Sequence, residues 1–485
     1  MVFTSFDFAV FFGVVLILNW RLRSRADIYP QFLLAANLLF YGLGAPRFLP
    51  LLIFVGLANW FTARMMFGAS QNKRRLWLWL DLTLCLGLLF FFKYFEWGVE
   101  MLLGWGPAEG FISRLALPEI FYPIGMSFFT FQGISLAIDH YRSPGLEPPD
   151  LLSTLNFVSF FPTVLSGPIQ RAGQFIPQMK SVKYEPENFN LAIVLILSGL
   201  FKKIALSSYL SEIIVRQVFQ VPESFSAAAV WAGIYGYSAQ IYLDFSGYSD
   251  LALGLGLLLG YNVGVNFNAP YLATNIRDFW HRWHISLSTW LRDYLYISLG
   301  GNRHGRARKA LNLFLTQFLG GLWHGAHVRY LIWGAAHGLA LIVSHFFADR
   351  RRDKERKLDE LGLKSWQRQK PRFQGLKKFL GFFITFNFVS LTWILFRAED
   401  SRRALEIVRA GLDFERAGLG APLLVWLVIA LALFMQVIGG GLRNVFMAVQ
   451  ERLPGPILAL WCAFWVVLIL KLGPDGVLPF IYFQY

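Results

Sequence analysis

Residues 275–326 read NIRDFWHRWHISLSTWLRDYLYISLGGNRHGRARKALNLFLTQFLGGLWHGA. The rest of the chain is strongly apolar, yet this stretch gathers His281, His284 and His324 with Asp278, Arg282, Arg292 and Asp293. Ionisable side chains at membrane depth are costly, and they face a cavity or a partner rather than lipid. Such a concentration points to chemistry.

The first half reads as a helix. Asn275 is suited to cap it, and Asp278 places an acid in its first turn. Trp280, Trp283, Leu287, Trp290 and Tyr294 follow at alternating spacings of three and four, which puts them on one face. Asp278, Arg282, Thr289 and Asp293 fall opposite, His281, Ser288 and Arg292 form a third strip, and His284 lies at the seam. The segment is too polar for lipid contact, so it is expected to line a cavity or to dip partway into the membrane. In the second half, glycines on both sides of Leu322-Trp323-His324 leave that histidine unshielded by neighbouring side chains.

Working outward, 55% of the 485 residues are hydrophobic, 17% aromatic and only 15% charged. Soluble chains carry about 25% charged residues. Repeated apolar runs approach the roughly 20 residues that cross a bilayer, so the chain reads as a polytopic helical membrane protein. The net charge of +15 sits in short loops, at 21–25, 73–75, 303–309 and 350–372. That placement argues for topology signals on the cytoplasmic side, and against nucleic acid as a partner. Membrane lipid is the expected surrounding partner. Cys85 and Cys462 lie in separate apolar runs and suggest neither a disulfide framework nor a metal site. No basic residue precedes Arg21, so the first apolar run does not read as a signal peptide. The arginines after that run place the N-terminus outside.

Window hydropathy gives spans near 6–20, 28–44, 48–66, 76–95, 189–206, 226–243, 330–347, 377–396, 421–438 and 456–472. Residues 97–118 read as an outside loop. Lys202 and Lys203 are expected to snorkel to a membrane edge. Asp244 and Asp250 are expected to bond a neighbouring basic helix, with the face carrying Arg282 and Arg292 as the available partner. A proton relay is the alternative. Gly256 and Gly260 suggest close helix packing. His140, His337 and His345 read as structural, and residues 397–416 as an amphipathic surface helix. Ser166-Gly167-Pro168 marks a broken helix.

FWHRWHISLSTWLRDYLYISLGGNR followed by GLWHGA resembles the membrane-bound O-acyltransferases (MBOAT), and in particular their bacterial polysaccharide-acetylating branch. The teichoic acid D-alanyl-transfer proteins are related to that branch. YPIGMSFFTFQ (122–132), FFPTVLSGPIQR (160–171), IYLDFSGYSDLALGLG (241–256) and FIYFQY (480–485) fit the same family. His281 departs from it, since many relatives carry arginine there.

The hydropathy pass gives about 10–13 transmembrane or re-entrant helices, and the resemblance implies that they form an all-α MBOAT-type bundle around a central cavity or tunnel. It implies one membrane domain over 1–485, with a catalytic core at about 120–347, a basic cytoplasmic loop at about 350–372 and C-terminal helices at about 377–472. It also implies a multi-pass protein of the bacterial inner membrane. His324 would be the catalytic base, with His284 a second important polar position. Trp283, Arg282, Trp323, Asp278, Ser288 and His281 would line the donor and acceptor pocket. The donor would be cytoplasmic acetyl-CoA, with no bound cofactor. The acceptor would be an extracytoplasmic polysaccharide, reached directly or through a partner acetyltransferase of the SGNH type.

The residues fit such chemistry. An imidazole titrating near pH 6.5 can take a hydroxyl proton as the oxygen attacks a thioester. His284 or Arg282 could stabilise the oxyanion. No GxSxG marks a serine nucleophile, which favours direct transfer. The i, i+3 pairs His281/His284 and His324/His327 lack an HExxH or a nearby cysteine pair, so no metal is expected. Two readings stay open: D-alanyl transfer from a carrier protein to teichoic acid, and a transporter or flippase that uses the buried charges without chemistry. The sequence leaves the acceptor polymer open among alginate, cellulose, peptidoglycan and other exopolysaccharides.

Overall fold

The computed structural model describes residues 2–103, 121–180, 185–360 and 374–474. Among them the chain is helical, and an isolated bridge between Phe225 and Leu419 is the extent of β pairing. In chain order the helices are α1 (Phe6–Leu22), α2 (Tyr29–Gly44), α3 (Leu49–Met66), α4 (Gln71–Leu103), α5 (Met126–Arg142), α6 (Leu151–Ser159), α7 (Ala172–Lys180) and α8 (Pro186–Leu200). They continue with α9 (Ala227–Leu258), α10 (Ile276–Arg282), α11 (Ile285–Trp290), α12 (Gly305–His324), α13 (Val328–Glu360) and α14 (Gln374–Arg397). The last are α15 (Ser401–Leu412), α16 (Leu423–Glu451) and α17 (Gly455–Leu472).

Seven helical segments among the described residues are long and apolar enough to cross a membrane, including a continuous Glu187–Gln220 that begins with α8. The chain is therefore an all-α, multi-pass membrane protein. The helices begin within about five residues of the hydropathy windows, but α4, α9, α13 and α16 run well past the expected ends, to Leu103, Leu258, Glu360 and Glu451. The expected outside loop begins later than anticipated, because α4 runs on to Leu103, and the remainder of that loop lies outside the described residues. The basic segment at 350–372 is helical as far as Glu360, and its remainder also lies outside them, as does FIYFQY. The amphipathic surface helix is α15, capped by the Asp400 carboxylate, which accepts from the Arg403 amide at 2.7 Å.

The described chain forms two compact units. The first is Met1–Ile204 with Phe245–Val265 and Val445–Tyr485, and the second is Ala205–Asp244 with Asn266–Asn444.

In the first unit, buried polar groups tie the helices together. Asp81 accepts from Asn59 Nδ2 at 3.0 Å and Thr62 Oγ1 at 2.5 Å, joining α4 to α3. Arg74 is 3% exposed and donates to the carbonyls of His140 and Tyr141, each at 2.6 Å, and of Met66 at 3.3 Å. It thereby closes the C-terminal ends of α5 and α3 with one guanidinium. Arg74→Ala is expected to lower stability by about 2–3 kcal/mol, since bonds to charged donors are among the strongest. Thermal unfolding in detergent measures it, and an unchanged midpoint would show that water replaces the clamp.

Three sequence expectations are corrected here. Lys202 does not snorkel: its Nζ lies 2.6 Å from Asp250 Oδ2, where a wide π-turn over Phe201–Ser207 interrupts the α-helical winding. Lys203 is buried at 2% exposure. Asp250 therefore pairs with Lys202, whereas Arg282 and Arg292 hold Asp278 and Asp293. Lys202 is half-buried, and the carboxylate beside it offsets part of its desolvation. Gly256 and Gly260 do not form a packing seam. They end α9, with the Tyr261 amide donating to Gly256 O at 2.8 Å, the Gly260 amide to Leu257 O at 2.9 Å, and Gly260 at φ +81°. That is a left-handed C-terminal cap, which glycine adopts without steric cost.

In the second unit, α12 and α13 form a close hairpin. A Cβ on Gly321 would stand 2.4 Å from Tyr330 O and 2.9 Å from the Gly334 Cα, so the two backbones touch there. This contact fixes the end of α12, which carries His324.

Candidate active site

Asn275 caps α10 as expected, its side chain accepting from the Asp278 amide at 3.0 Å. The expected single helix does not continue. It breaks at Trp283 and resumes as α11 from Ile285, then widens into a π-turn over Leu291–Tyr296. His284 sits in the break at φ +43°, in the left-handed region where a side chain is strained.

Asn266 holds that strained turn. Its backbone carbonyl accepts from the Ile285 amide at 2.9 Å. Its side-chain oxygen accepts from the Ser286 amide at 3.1 Å and the Ser286 hydroxyl at 3.0 Å, and lies 3.2 Å from His284 Nδ1. The Ser286 amide is a donor only, so the atom facing it is the carboxamide oxygen. His284 Nδ1 must then carry a proton. A neutral imidazole so arranged presents Nε2 as an acceptor. His284 is 1% exposed, and Asn266 is 2% exposed.

The aromatic stripe is buried as its spacing predicts: Trp280, Trp283, Leu287, Trp290 and Tyr294 are all 8% exposed or less. Trp283 packs against Phe279 at 5.6 Å, Phe267 at 5.0 Å and Trp393 at 5.1 Å. The polar face also forms, as the Arg282 Nε to Asp278 Oδ1 bond of 2.8 Å. Arg282 further donates to Asn268 O at 3.3 Å, so its guanidinium is committed to holding this loop. Ser288 Oγ donates to the Trp283 carbonyl at 3.1 Å, satisfying an acceptor freed by the break. His281 is exposed on α10.

His324 ends α12 and is 8% exposed. Its ring is walled by Trp323 at 4.8 Å, Phe396 at 4.9 Å and Trp333 at 5.2 Å. Trp333 stacks on Trp393 at 5.8 Å, and Trp393 meets Trp283. Two tryptophan rings thus bridge His324 to the residue next to His284. Behind them, His337 is fully buried, 4.6 Å from Trp333, with Nε2 3.0 Å from Thr392 Oγ1. That is a buried core histidine, as the sequence suggests. Tyr271 fastens the floor: its hydroxyl donates to Ser238 O at 2.5 Å and accepts from Trp393 Nε1 at 3.2 Å. Its amide donates to Gln436 Oε1 at 2.9 Å.

Asn266, Tyr271, Trp333, Trp393 and Phe396 escape sequence reasoning. Asn266 stands in the NFNAP turn just before the polar stretch, and that position is the one signal that could have drawn notice. The others are aromatic residues in an aromatic-rich chain. Among the described residues, no group of His, Cys, Asp and Glu could hold a metal ion.

Comparison with known proteins gives the arrangement its context. The membrane-bound O-acyltransferase family profile matches residues 126–392, more than half of the chain. The chain is 33% identical to the "Probable alginate O-acetylase AlgI" of Pseudomonas putida over all of both chains. It is 34% identical to the peptidoglycan O-acetyltransferase of Helicobacter pylori, over 80% of this chain and 74% of that one. It is 30% identical to the teichoic acid D-alanyltransferase of Bacillus subtilis, over 46% of this chain and 59% of that one. The broken helix, the histidine that ends α12 and the glycine-packed hairpin behind it all lie inside the matched region, and the chain belongs to the membrane-bound O-acyltransferase family as an O-acyltransferase.

Proposed function

We propose that the protein moves an acetyl group from cytoplasmic acetyl-CoA to hydroxyls of an extracytoplasmic polysaccharide, with His324 as general base. The observation that carries this reading is the His324 ring, held at the end of α12 in an aromatic cluster that reaches the residue beside His284. The full-length likeness to an alginate O-acetylase favours acetyl over D-alanyl, because the D-alanyltransferase likenesses cover only 46–56% of this chain.

The acceptor hydroxyl gives its proton to the His324 imidazole as its oxygen bonds to the thioester carbonyl carbon. The tetrahedral oxyanion then collapses, the carbon–sulfur bond breaks, and the imidazolium returns the proton to the leaving sulfur. The products are an O-acetyl ester and free coenzyme A. The aromatic wall limits water around the acyl group and so limits hydrolysis.

The geometry refines the roles that sequence suggested. A neutral His284 with Nδ1–H committed to Asn266 presents Nε2 as an acceptor, which suits orienting the acceptor hydroxyl rather than stabilising an oxyanion. Arg282 is held by Asp278 and Asn268, and serves the loop. Trp283 and Trp323 line the pocket, Asp278 and Ser288 brace the turn, and His281 contributes least.

The N-terminus faces outward and the protein resides in the bacterial inner membrane, with basic segments such as 303–309 on the cytoplasmic side. An SGNH-type acetyltransferase accepts the acetyl group where the polymer itself does not reach the pocket.

Two experiments bear on this. Purified protein given acetyl-CoA and acceptor polysaccharide is expected to release coenzyme A thiol. Consumption of a D-alanyl-loaded carrier protein, freeing the carrier's own thiol and no coenzyme A, would replace the donor. Asn266→Ala is expected to lower transfer by tenfold or more and stability by about 2 kcal/mol, since buried donors of the His284 turn lose their acceptor. Asn266→Asp keeps an acceptor oxygen and should recover much of the rate. Equal rates for both variants and the wild type would remove His284 from the mechanism.

A further inference from the structure

A groove of about 800 Å³ runs along α13 and α14 in the second unit and meets the start of α10. That volume falls within the usual range of about 300–1,000 Å³ for ligand sites. Its lining changes character along its length. One end carries Arg277, Arg351, Arg352 and Glu355, and the other closes on Ala340 and Phe388. Between them the walls include Val343, Phe347 and Ile384, which are 54%, 65% and 64% exposed. Large apolar side chains this open, on helices of membrane-spanning length and composition, face hydrocarbon.

The charged end is not self-neutralising. Arg351 Nε bonds Glu355 at 2.8 Å, and Asp349 holds both Lys309, at 2.8 Å, and Arg352. With Arg277, four cations stand against two carboxylates, Asp349 and Glu355. A guanidinium carries five N–H donors, so each paired arginine keeps donors for another ligand.

The depth is informative. Ala340 and Glu355 both line the groove on α13, fifteen residues apart, which is about 22 Å of helix. One leaflet, counting its headgroups, is about 20–22 Å. Arg351 and Arg352 come just after the apolar run of α13 ends, where a spanning helix meets the headgroups.

We propose that this groove seats an anionic phospholipid of the surrounding bilayer. Its phosphate sits among Arg277, Arg351 and Arg352, and one acyl chain lies along Val343, Phe347 and Ile384 as far as Phe388. A lipid fits better than a soluble phosphate donor because the wall beside the cations is made of exposed apolar side chains on helices of spanning length. The seat also reaches toward the active site: the Phe388 ring stands 5.3 Å from His337, which packs on the Trp333 that walls His324. A bound chain would brace α14 against α13 behind that wall.

Native mass spectrometry of the full chain in mild detergent tests this, with phosphatidylglycerol and phosphatidylcholine of identical chains as probes. Phosphatidylglycerol is expected to stay bound where phosphatidylcholine does not. Arg277→Gln with Arg352→Gln should weaken it by about fivefold per arginine removed. Glu355→Gln should tighten it, which a purely structural groove would not do, and this arm stands even if the double variant folds poorly. Equal retention of both lipids, or no response to Glu355→Gln, overturns the proposal. Displacement of phosphatidylglycerol by coenzyme A, one for one, also overturns it and reassigns the groove to the donor.

Discussion

Replacing His324 with alanine is expected to lower acyl transfer by about 10²–10⁴-fold, the usual contribution of a positioned general base, while the protein still folds and inserts. The ring ends α12 and packs on Trp323, Trp333 and Phe396. Its removal leaves a small void among rings that keep their own contacts, so the fold should survive. His324→Gln fills most of that void without supplying a base, and separates packing from proton transfer. Both variants should keep the wild-type thermal midpoint within a few degrees and lose kcat with little change in KM. A normal rate in His324→Gln would move the base elsewhere.

Two adjacent glycines should behave in opposite ways. Gly321→Ala forces a methyl group against Tyr330 O at 2.4 Å and the Gly334 Cα at 2.9 Å. Both are backbone atoms and cannot swing aside, so α12 and α13 must separate. The expected cost is about 1–3 kcal/mol for alanine and more for valine. His324 lies three residues further on, so the rate should fall about 10²-fold, as misplacement by 1 Å can do. At Gly320 the methyl group meets only the Leu291 Cδ1 end at 3.3 Å, a flexible tip. Gly320→Ala should therefore keep most of its stability and activity. Thermal unfolding and transfer assays on the pair check this, and equal effects would mean that the hairpin contact does not set the position of His324.

The sequence made the spans visible because long apolar runs need no tertiary information. It also made visible the buried tryptophan stripe from Trp280 to Tyr294 and the cap at Asn275, since spacing and capping are local properties. The break at His284 was not visible. Spacings of three and four run through it uninterrupted, and what ends the helix is Asn266, eighteen residues upstream, taking the Ile285 and Ser286 amides. A competitor that distant leaves no periodic trace. The Lys202–Asp250 pair was hidden for the same reason, since its partners are 48 residues apart. Local pattern alone suggested membrane packing for Gly256 and Gly260, where the structure has a helix cap. The wall of Trp333, Trp393 and Phe396 carried no signal, because apolar rings are ordinary in a chain this apolar.

Sealed vesicles holding the oriented, purified protein offer the most direct test, with acetyl-labelled coenzyme A in one compartment and acceptor in the other. Labelled ester is expected in the acceptor compartment while coenzyme A stays on the donor side, and the His324→Gln protein should form none. Ester formed only when donor and acceptor share a compartment, or formed equally by the variant, would contradict transfer across the membrane through His324.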